Sequence, residues 1–166
     1  QAAQAASYPR EFEQTWTTRK GREVVIRPIR VTDEARFYDF LYGLSDETLY
    51  KRFLRPVKQL PHKEVLRALD VDYDTHMAFV VESVEQEGQE PELVGVGRYV
   101  GEPRNAFPEV AFVVRDDWQG EGLGSRLLSL LVDYARSRGM AGFTADVLAG
   151  NRAMLGVFLQ SGLKVE

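Results

Sequence analysis

Gln119-Gly120-Glu121-Gly122-Leu123-Gly124-Ser125 joins a continuous apolar run, Val110 to Val114, to the longest helical pattern in the chain. In that pattern Leu123, Leu127, Leu131, Tyr134 and Ala135 recur at helical spacing, Arg126, Ser129, Asp133 and Arg136 fall on the other side, and Gly139 supplies a stop. A strand, a glycine-bearing turn and a helix in this order suit an anion. Glycines remove the Cβ atoms that would hold a ligand off the backbone, and the first helical turn presents N–H groups without intrahelical partners. With the positive end of the helix dipole, those donors predict a pyrophosphate cradle. A P-loop reading weakens because no Lys follows Gly124, and a dinucleotide reading weakens because Ser125 takes the last place of Gly-x-Gly-x-x-Gly.

Working outward, the 166 residues suit one domain with a sizeable core. Residues 1–20 read as an N-terminal linker or extension, and 21–166 as the domain proper. The opening Gln-Ala-Ala-Gln-Ala-Ala-Ser lacks the marks of a signal peptide. No apolar run approaches the roughly 20 residues that span a bilayer, so no membrane is expected and cytosol is the default. The absence of Cys removes disulfides, thiolate metal ligands and a cysteine nucleophile. With only His62 and His76, no metal site is expected. A net charge of −4 argues against nucleic acid.

The remaining elements follow from local pattern. Arg22 to Ile29 is rich in β-branched residues and predicts a strand; Thr32 or Asp33 then caps a helix through Phe37, Phe40 and Leu41, stopped by Gly43. Ser45 or Asp46 caps the next, Pro56 breaks it, and Pro61 opens another through Val65, Leu66 and Leu69. Met77 to Ser83 and Leu93 to Val100 predict a hairpin with a polar connection, Glu85 to Pro91. Phe143 to Leu148 predicts a strand, and Asn151 caps a helix with Met154, Leu155, Phe158 and Leu159 on one face. The order defines an α/β domain.

Gln119, Gly122 and Gly124 match Gln/Arg-x-x-Gly-x-Gly/Ala, and here the chain resembles the GNAT superfamily of acyl-CoA-dependent transferases. Arg27-Pro28-Ile29-Arg30, Tyr50-Lys51-Arg52-Phe53 and Val114-Arg115-Asp116-Asp117-Trp118-Gln119-Gly120 are similar to protein lysine acetyltransferases often fused behind an acyl-CoA-synthetase-like region. The resemblance implies a GNAT fold: a mixed central sheet flanked by helices, with a bulged strand from Glu109 to Val114 splayed from Phe143 to Leu148 to form an acyl-CoA slot. Backbone groups of Phe112, Val113 and Val114 would pair with pantetheine. Gln119 belongs to the signature, N–H groups of Gly120, Glu121, Gly122, Leu123, Gly124 and Ser125 would hold the pyrophosphate, and Asn151 would bond the cofactor arm. The usual final strand is missing, since the chain stops at Glu166 about where it would begin. Acetyl-CoA is the implied cosubstrate, and the chain can be part of a larger fused protein.

Attack on a thioester needs a neutral amine, whereas a free Lys with a pKa near about 10.4 is mostly protonated at pH 7. Glu109 is the candidate base, acting directly or through one water; its bland reading is a solvated carboxylate after Pro108. Without Cys, direct transfer within one ternary complex is expected. Phe158 occupies the place where many family members carry a proton-donating Tyr. Asp146 reads as an ordinary strand-end carboxylate, and Asp70, Asp72 and Asp74 as a polar turn before His76, itself a turn or packing residue. Arg52 and Arg55 read as surface or helix-end charges. The acceptor is a protein with a reactive lysine or a small amine; a non-catalytic acyl-CoA sensor is the alternative from another class.

Overall fold

The computed structural model describes residues 2–84, 87–101 and 107–164. Its strands are β1 (Gln14–Thr17), β2 (Glu23–Pro28), β3 (His76–Ser83), β4 (Leu93–Val100) and β5 (Glu109–Val114). They lie in chain order in one sheet, each antiparallel to the next. Helices α1 (Ala2–Ser7), α2 (Glu34–Tyr42), α3 (Asp46–Phe53), α4 (His62–Leu69), α5 (Leu123–Ser137) and α6 (Arg152–Leu159) surround it. None of the helices among the described residues is long and apolar enough to cross a membrane.

Register and the two-residue period of a strand decide what each face carries. Ala78, Val80, Val96, Arg98, Val100, Glu109, Ala111 and Val113 share one face; Phe79, Val81, Tyr99, Val110 and Phe112 share the other. Helices α2, α3 and α4 cover the first face and α5 covers the second. The α5 stripe of Leu123, Leu127, Leu131 and Tyr134 is buried there against Phe79 and Tyr99. At Gly97 a Cβ would come within 2.8 Å of the Phe112 ring and 3.1 Å of Leu127, so the bare backbone lets α5 lie close to the sheet.

Helix ends follow the capping residues. Ser45 accepts the Thr48 N–H at 3.1 Å, Asn151 accepts the Met154 N–H at 3.3 Å, and Pro61 precedes α4. Asp33 differs from expectation. It stands at the start of α2 without capping it through its side chain, because both carboxylate oxygens are taken by the buried Arg27 guanidinium at 2.7 and 2.9 Å.

Three further features depart from the sequence reading. Gln14–Thr17, within the stretch expected as an extension, adds β1 to the free edge of β2. Phe143 to Leu148 does not form a regular strand. The Val110 N–H donates to Thr144 at 2.8 Å and the Thr144 N–H to Pro108 at 3.0 Å, giving one parallel rung, Glu109 with Thr144. The parallel part of the sheet is confined to that rung. The segment then leaves β5, with Ala145 and Asp146 exposed, because a single rung supplies too few bonds to hold a ladder. Finally, the expected bulge in β5 is absent: its register with β4 runs unbroken from Gly95–Val114 to Val100–Glu109, and the register shift lies between β3 and β4 at Val81 and Glu82. Glu85 and Gln86 of the polar connection, and Val165 and Glu166, on which the expectation about the final strand falls, lie outside the described residues.

Candidate active site

Divergence of residues 145–148 from β5 opens a slot of about 460 Å³ between β5, the glycine turn, α3 and the start of α6. That volume lies within the range of small-molecule and cofactor sites, about 300–1,000 Å³. Phe112, Val113, Val114, Gln119, Gly120, Gly122, Leu123, Gly124, Ser125 and Asn151 all line it, so residues separated by up to 39 positions converge.

Backbone alternation sharpens which groups face the slot. The Arg115 N–H donates to Val94, placing the N–H and C=O of Val113 and Ala111 in the β4 ladder. The Val110 N–H faces residue 144 instead, so Phe112 and Val114 present their backbone groups to the open side. The Val114 carbonyl is already occupied, accepting from Gln119 Nε2 at 3.0 Å. Phe112 N–H and C=O and Val114 N–H therefore remain as the exposed edge that an extended ligand can join. Val113 contributes its side chain to the wall and not its backbone.

The glycine turn is built as the sequence implies. Gly122 begins α5 at φ +86°, a region that other L-residues enter only with strain, and a Cβ there would meet Arg19 Nε at 3.0 Å. The first N–H bonded within this turn and helix is that of Arg126, which donates to Gly122; those from Gly120 to Ser125 have no protein acceptor among the described residues. Glu121 does not line the slot, and its carbonyl accepts from the Arg19 N–H at 3.1 Å. Its side chain is fully buried on the other side, accepting from Thr18 at 2.7 Å and from Arg22 Nε at 3.0 Å, and paired with the Arg22 Nη2. The Arg22 hydrogen bond, with help from Thr18 and against the cost of burial, holds the Glu121 carboxyl below its usual range. Arg22 also lies over Trp118 at 3.4 Å and donates to the Asp117 carbonyl at 2.8 Å.

Gln119 works partly as a strut, donating to Thr48 at 3.3 Å as well as to Val114. Asp116 accepts from the Ser45 N–H at 3.1 Å, the Ser45 hydroxyl at 2.7 Å and the Thr48 hydroxyl at 2.8 Å, anchoring the first turn of α3 beside the slot. Asn151 is 9% exposed; its oxygen caps α6 and its amide N–H groups have no acceptor among the described residues, leaving them available to a ligand. Phe158 lines the slot and packs on Phe112 at a ring separation of 6.0 Å, and no tyrosine lines the slot among the described residues.

Glu109 is exposed at the end of β5, next to Val110 of the slot wall and at the rung where residue 144 departs. Burial lowers the Arg52 guanidinium from its ordinary value, and the charge of Glu109 opposes this only in part. Asp146 lines the slot and is exposed. Asp72 does form a turn, accepting the N–H groups of Asp74 and His76 at 2.9 Å each. Sequence reasoning did not pick out Arg19, Thr48 and Lys51 as slot residues, and it placed Arg52 on the surface, whereas Arg52 lines the slot. Arg19 lay in the stretch read as an extension. The Tyr50-Lys51-Arg52-Phe53 string was the one signal for its neighbours.

An edge strand opened beside a glycine-turned helix N-terminus offers free backbone groups and a set of N–H donors to one slot. Residues 39–163 match the acetyltransferase (GNAT) family, and the chain belongs to that family. It is an acetyltransferase whose cosubstrate is acetyl-CoA. The chain is 37% identical over 134 residues to a Pseudomonas aeruginosa acetyltransferase, covering 81% of this chain and 71% of the relative. It is 38% identical over 138 residues to the acetyltransferase Pat of Mycolicibacterium smegmatis, covering 82% of this chain and 40% of that protein. The GNAT domain of S. lividans PAT superposes with a TM-score of 0.82 at 33% identity, covering 93% of this chain and 89% of that domain.

Proposed function

We propose that the chain acetylates protein lysine side chains by direct transfer from acetyl-CoA, with Glu109 as the general base, and that it works as part of a larger protein. Its 40% coverage of the Mycolicibacterium Pat supports the last point. The lysine assignment rests on likeness to Pat and PAT and on the strings around Arg27, Tyr50 and Val114. The observation that supports the mechanism is the position of Glu109, an exposed carboxylate on the same strand that presents a free backbone edge at Phe112 and Val114. Pyrophosphate held by the N–H groups of Gly120 to Ser125 and an arm paired with Phe112 would bring the thioester toward the Glu109 end of the slot. Glu109 then takes a proton from the incoming ammonium, the neutral amine attacks the thioester carbonyl, and the tetrahedral adduct loses its second N–H proton to solvent as the C–S bond breaks to release CoA thiolate. With Phe158 where a phenol would stand, the thiolate leaves without a tyrosine donor and takes its proton from solvent.

Glu109→Gln tests this reading. Acetyl-CoA binding, followed by calorimetry, should persist while kcat on a lysine peptide falls about 10²–10⁴-fold, the range of general-base catalysis. Full turnover by the variant would remove Glu109 from the mechanism. A wild-type chain that binds acetyl-CoA but acetylates no lysine peptide or small amine would point to the sensor instead.

A further inference from the structure

A second cavity of about 160 Å³ lies under α2, α3 and α4, on the face of the sheet that carries Glu109. Arg52 and Val113 line both this cavity and the slot, so the two adjoin. Most of the walls are apolar, including Phe37, Leu41, Val65 and Val96, yet Arg98 and Arg52 both line it.

Arg98 is the unusual member. It is 7% exposed, and its Nη1 donates to the Ala68 carbonyl at 3.0 Å and to His76 Nε2 at 3.0 Å. A guanidinium offers only donors, so His76 is neutral with its proton on Nδ1. Burial first, and then the charge of Arg98, push His76 down to about 4, in keeping with that assignment. No carboxylate lies within ion-pair distance of Arg98 among the described residues, and its Nε and Nη2 donate to no protein acceptor there.

Arg27 shows how the same fold treats a guanidinium that only holds structure together. Buried to 3% exposure, it is met by both oxygens of Asp33 and by Glu82 at 3.0 Å. Arg98 has instead a carbonyl near the end of α4, a neutral imidazole and a cavity. Burial and the like charge of Arg52 pull the Arg98 guanidinium down to about 9, still cationic at neutral pH. Glu64 also lines the cavity, but it is half-exposed and engaged with Arg55 at 3.9 Å, so the interior keeps a net positive charge. A buried charge without a partner is costly, and a guanidinium fork is matched in shape by a carboxylate.

We propose that Arg98 and Arg52 form a receptor for a carboxylate carried by the amine acceptor, a short apolar stem away from the amine. The proposal rests on the acyl-transfer reading above and adds the acceptor's chemical class. Arg98 is paired with Ala111, and Glu109 lies two residues back on the same face, a diagonal spacing of about 7–8 Å. An acceptor whose carboxylate enters the cavity thus has its amine within reach of Glu109 and the slot. The carboxylate can belong to an acidic side chain beside a protein lysine or be the α-carboxylate of a free amino acid.

The test uses matched pairs with the full chain: lysine peptides with Glu or Gln beside the lysine, and free amino acids against their amides. The carboxylate member of one pair should have a kcat/KM at least about tenfold higher, carried by KM, as one charged contact of this kind implies. Arg52→Gln, a partly exposed position, and Arg98→Lys, which keeps a cation but loses the fork, should bring that ratio toward one. The pair that responds identifies the source. Equal kcat/KM within both pairs for the wild type overturns the receptor and leaves acyl transfer standing. If acetyl-CoA binds but no amine is acetylated, the functional reading fails. The receptor is then read directly, by titrating sodium malonate while following the Arg98 Nε–Hε NMR signal. A saturable shift that Arg52→Gln weakens supports the receptor, and no shift overturns it.

Discussion

In the proposed mechanism Glu109, Gly124 and Asn151 divide the site's work between chemistry, access and orientation. Gly124 is the cleanest residue on which to test access. A Cβ there would make only an ordinary contact, 3.4 Å from Val157, so the fold should tolerate a side chain. Leucine would nevertheless fill the slot beside the N–H groups expected to hold pyrophosphate. Gly124→Leu should therefore keep a wild-type circular dichroism spectrum while acetyl-CoA affinity drops at least about 100-fold by calorimetry, the loss expected when backbone donors are blocked. Gly122 is a poorer probe, because its φ of +86° and the nearby Arg19 would couple lost binding to backbone strain. Phe158 marks where the chain departs from its resemblance: the ring packs on Phe112 and offers no proton.

Elements meet at the turn before α5, where the β1–β2 connection closes over the glycines. Thr18 and Arg22 carry the closure by binding the buried Glu121 carboxylate. Glu121→Gln should lower Tm at pH 7, with acetyl-CoA affinity falling as the turn loosens. Because the folded-state pKa of Glu121 is depressed below 4.5, this contribution is complete above that value and is lost as pH falls through the folded-state titration. The Tm difference between wild type and variant, measured by scanning calorimetry, should accordingly be largest near neutrality and shrink in acid. A difference that grew as pH fell would contradict the ion pair. On the opposite side, Asp116 ties the start of α3 to the same turn, so the cofactor cradle and the helix carrying Lys51 and Arg52 are held as one unit.

At the scale of the whole molecule, the first 20 residues bear on stability as well as on the site. Removing residues 1–20 would delete β1, leave Glu121 without Thr18, and take Arg19 from the slot. Such a truncation should unfold at clearly lower urea concentration than the intact chain. Acetyl-CoA should raise its midpoint less than it raises that of the full chain, since ligand stabilisation scales with affinity. An equal midpoint would show residues 1–20 to be the dispensable extension that their composition suggests.

Strands β2 to β5, helices α2 to α6 and the glycine turn were legible because each is written locally: β-branched runs, helical spacing, and Ser45, Asn151, Gly43 and Gly139 at the ends. The run of free N–H groups at the glycine turn was legible for the same reason, being contiguous in sequence. Only tertiary structure decided that Gln14–Thr17 is a strand, because four half-polar residues gain their stability from the edge of β2. It also reduced Phe143 to Leu148 to a single rung, since a strand needs partners that no local pattern specifies. By the same logic Arg98 looked like any strand residue. Its meaning comes from α4 and β3, which bury it beside Ala68 and His76 while setting no carboxylate within ion-pair distance of it among the described residues. Sequence alone thus determined β2 to β5, α2 to α6 and the glycine turn that carries the family signature. The packing of distant elements decided where the slot opens, which backbone groups face it, and that Arg98 stands in the adjoining cavity with no carboxylate within ion-pair distance among the described residues.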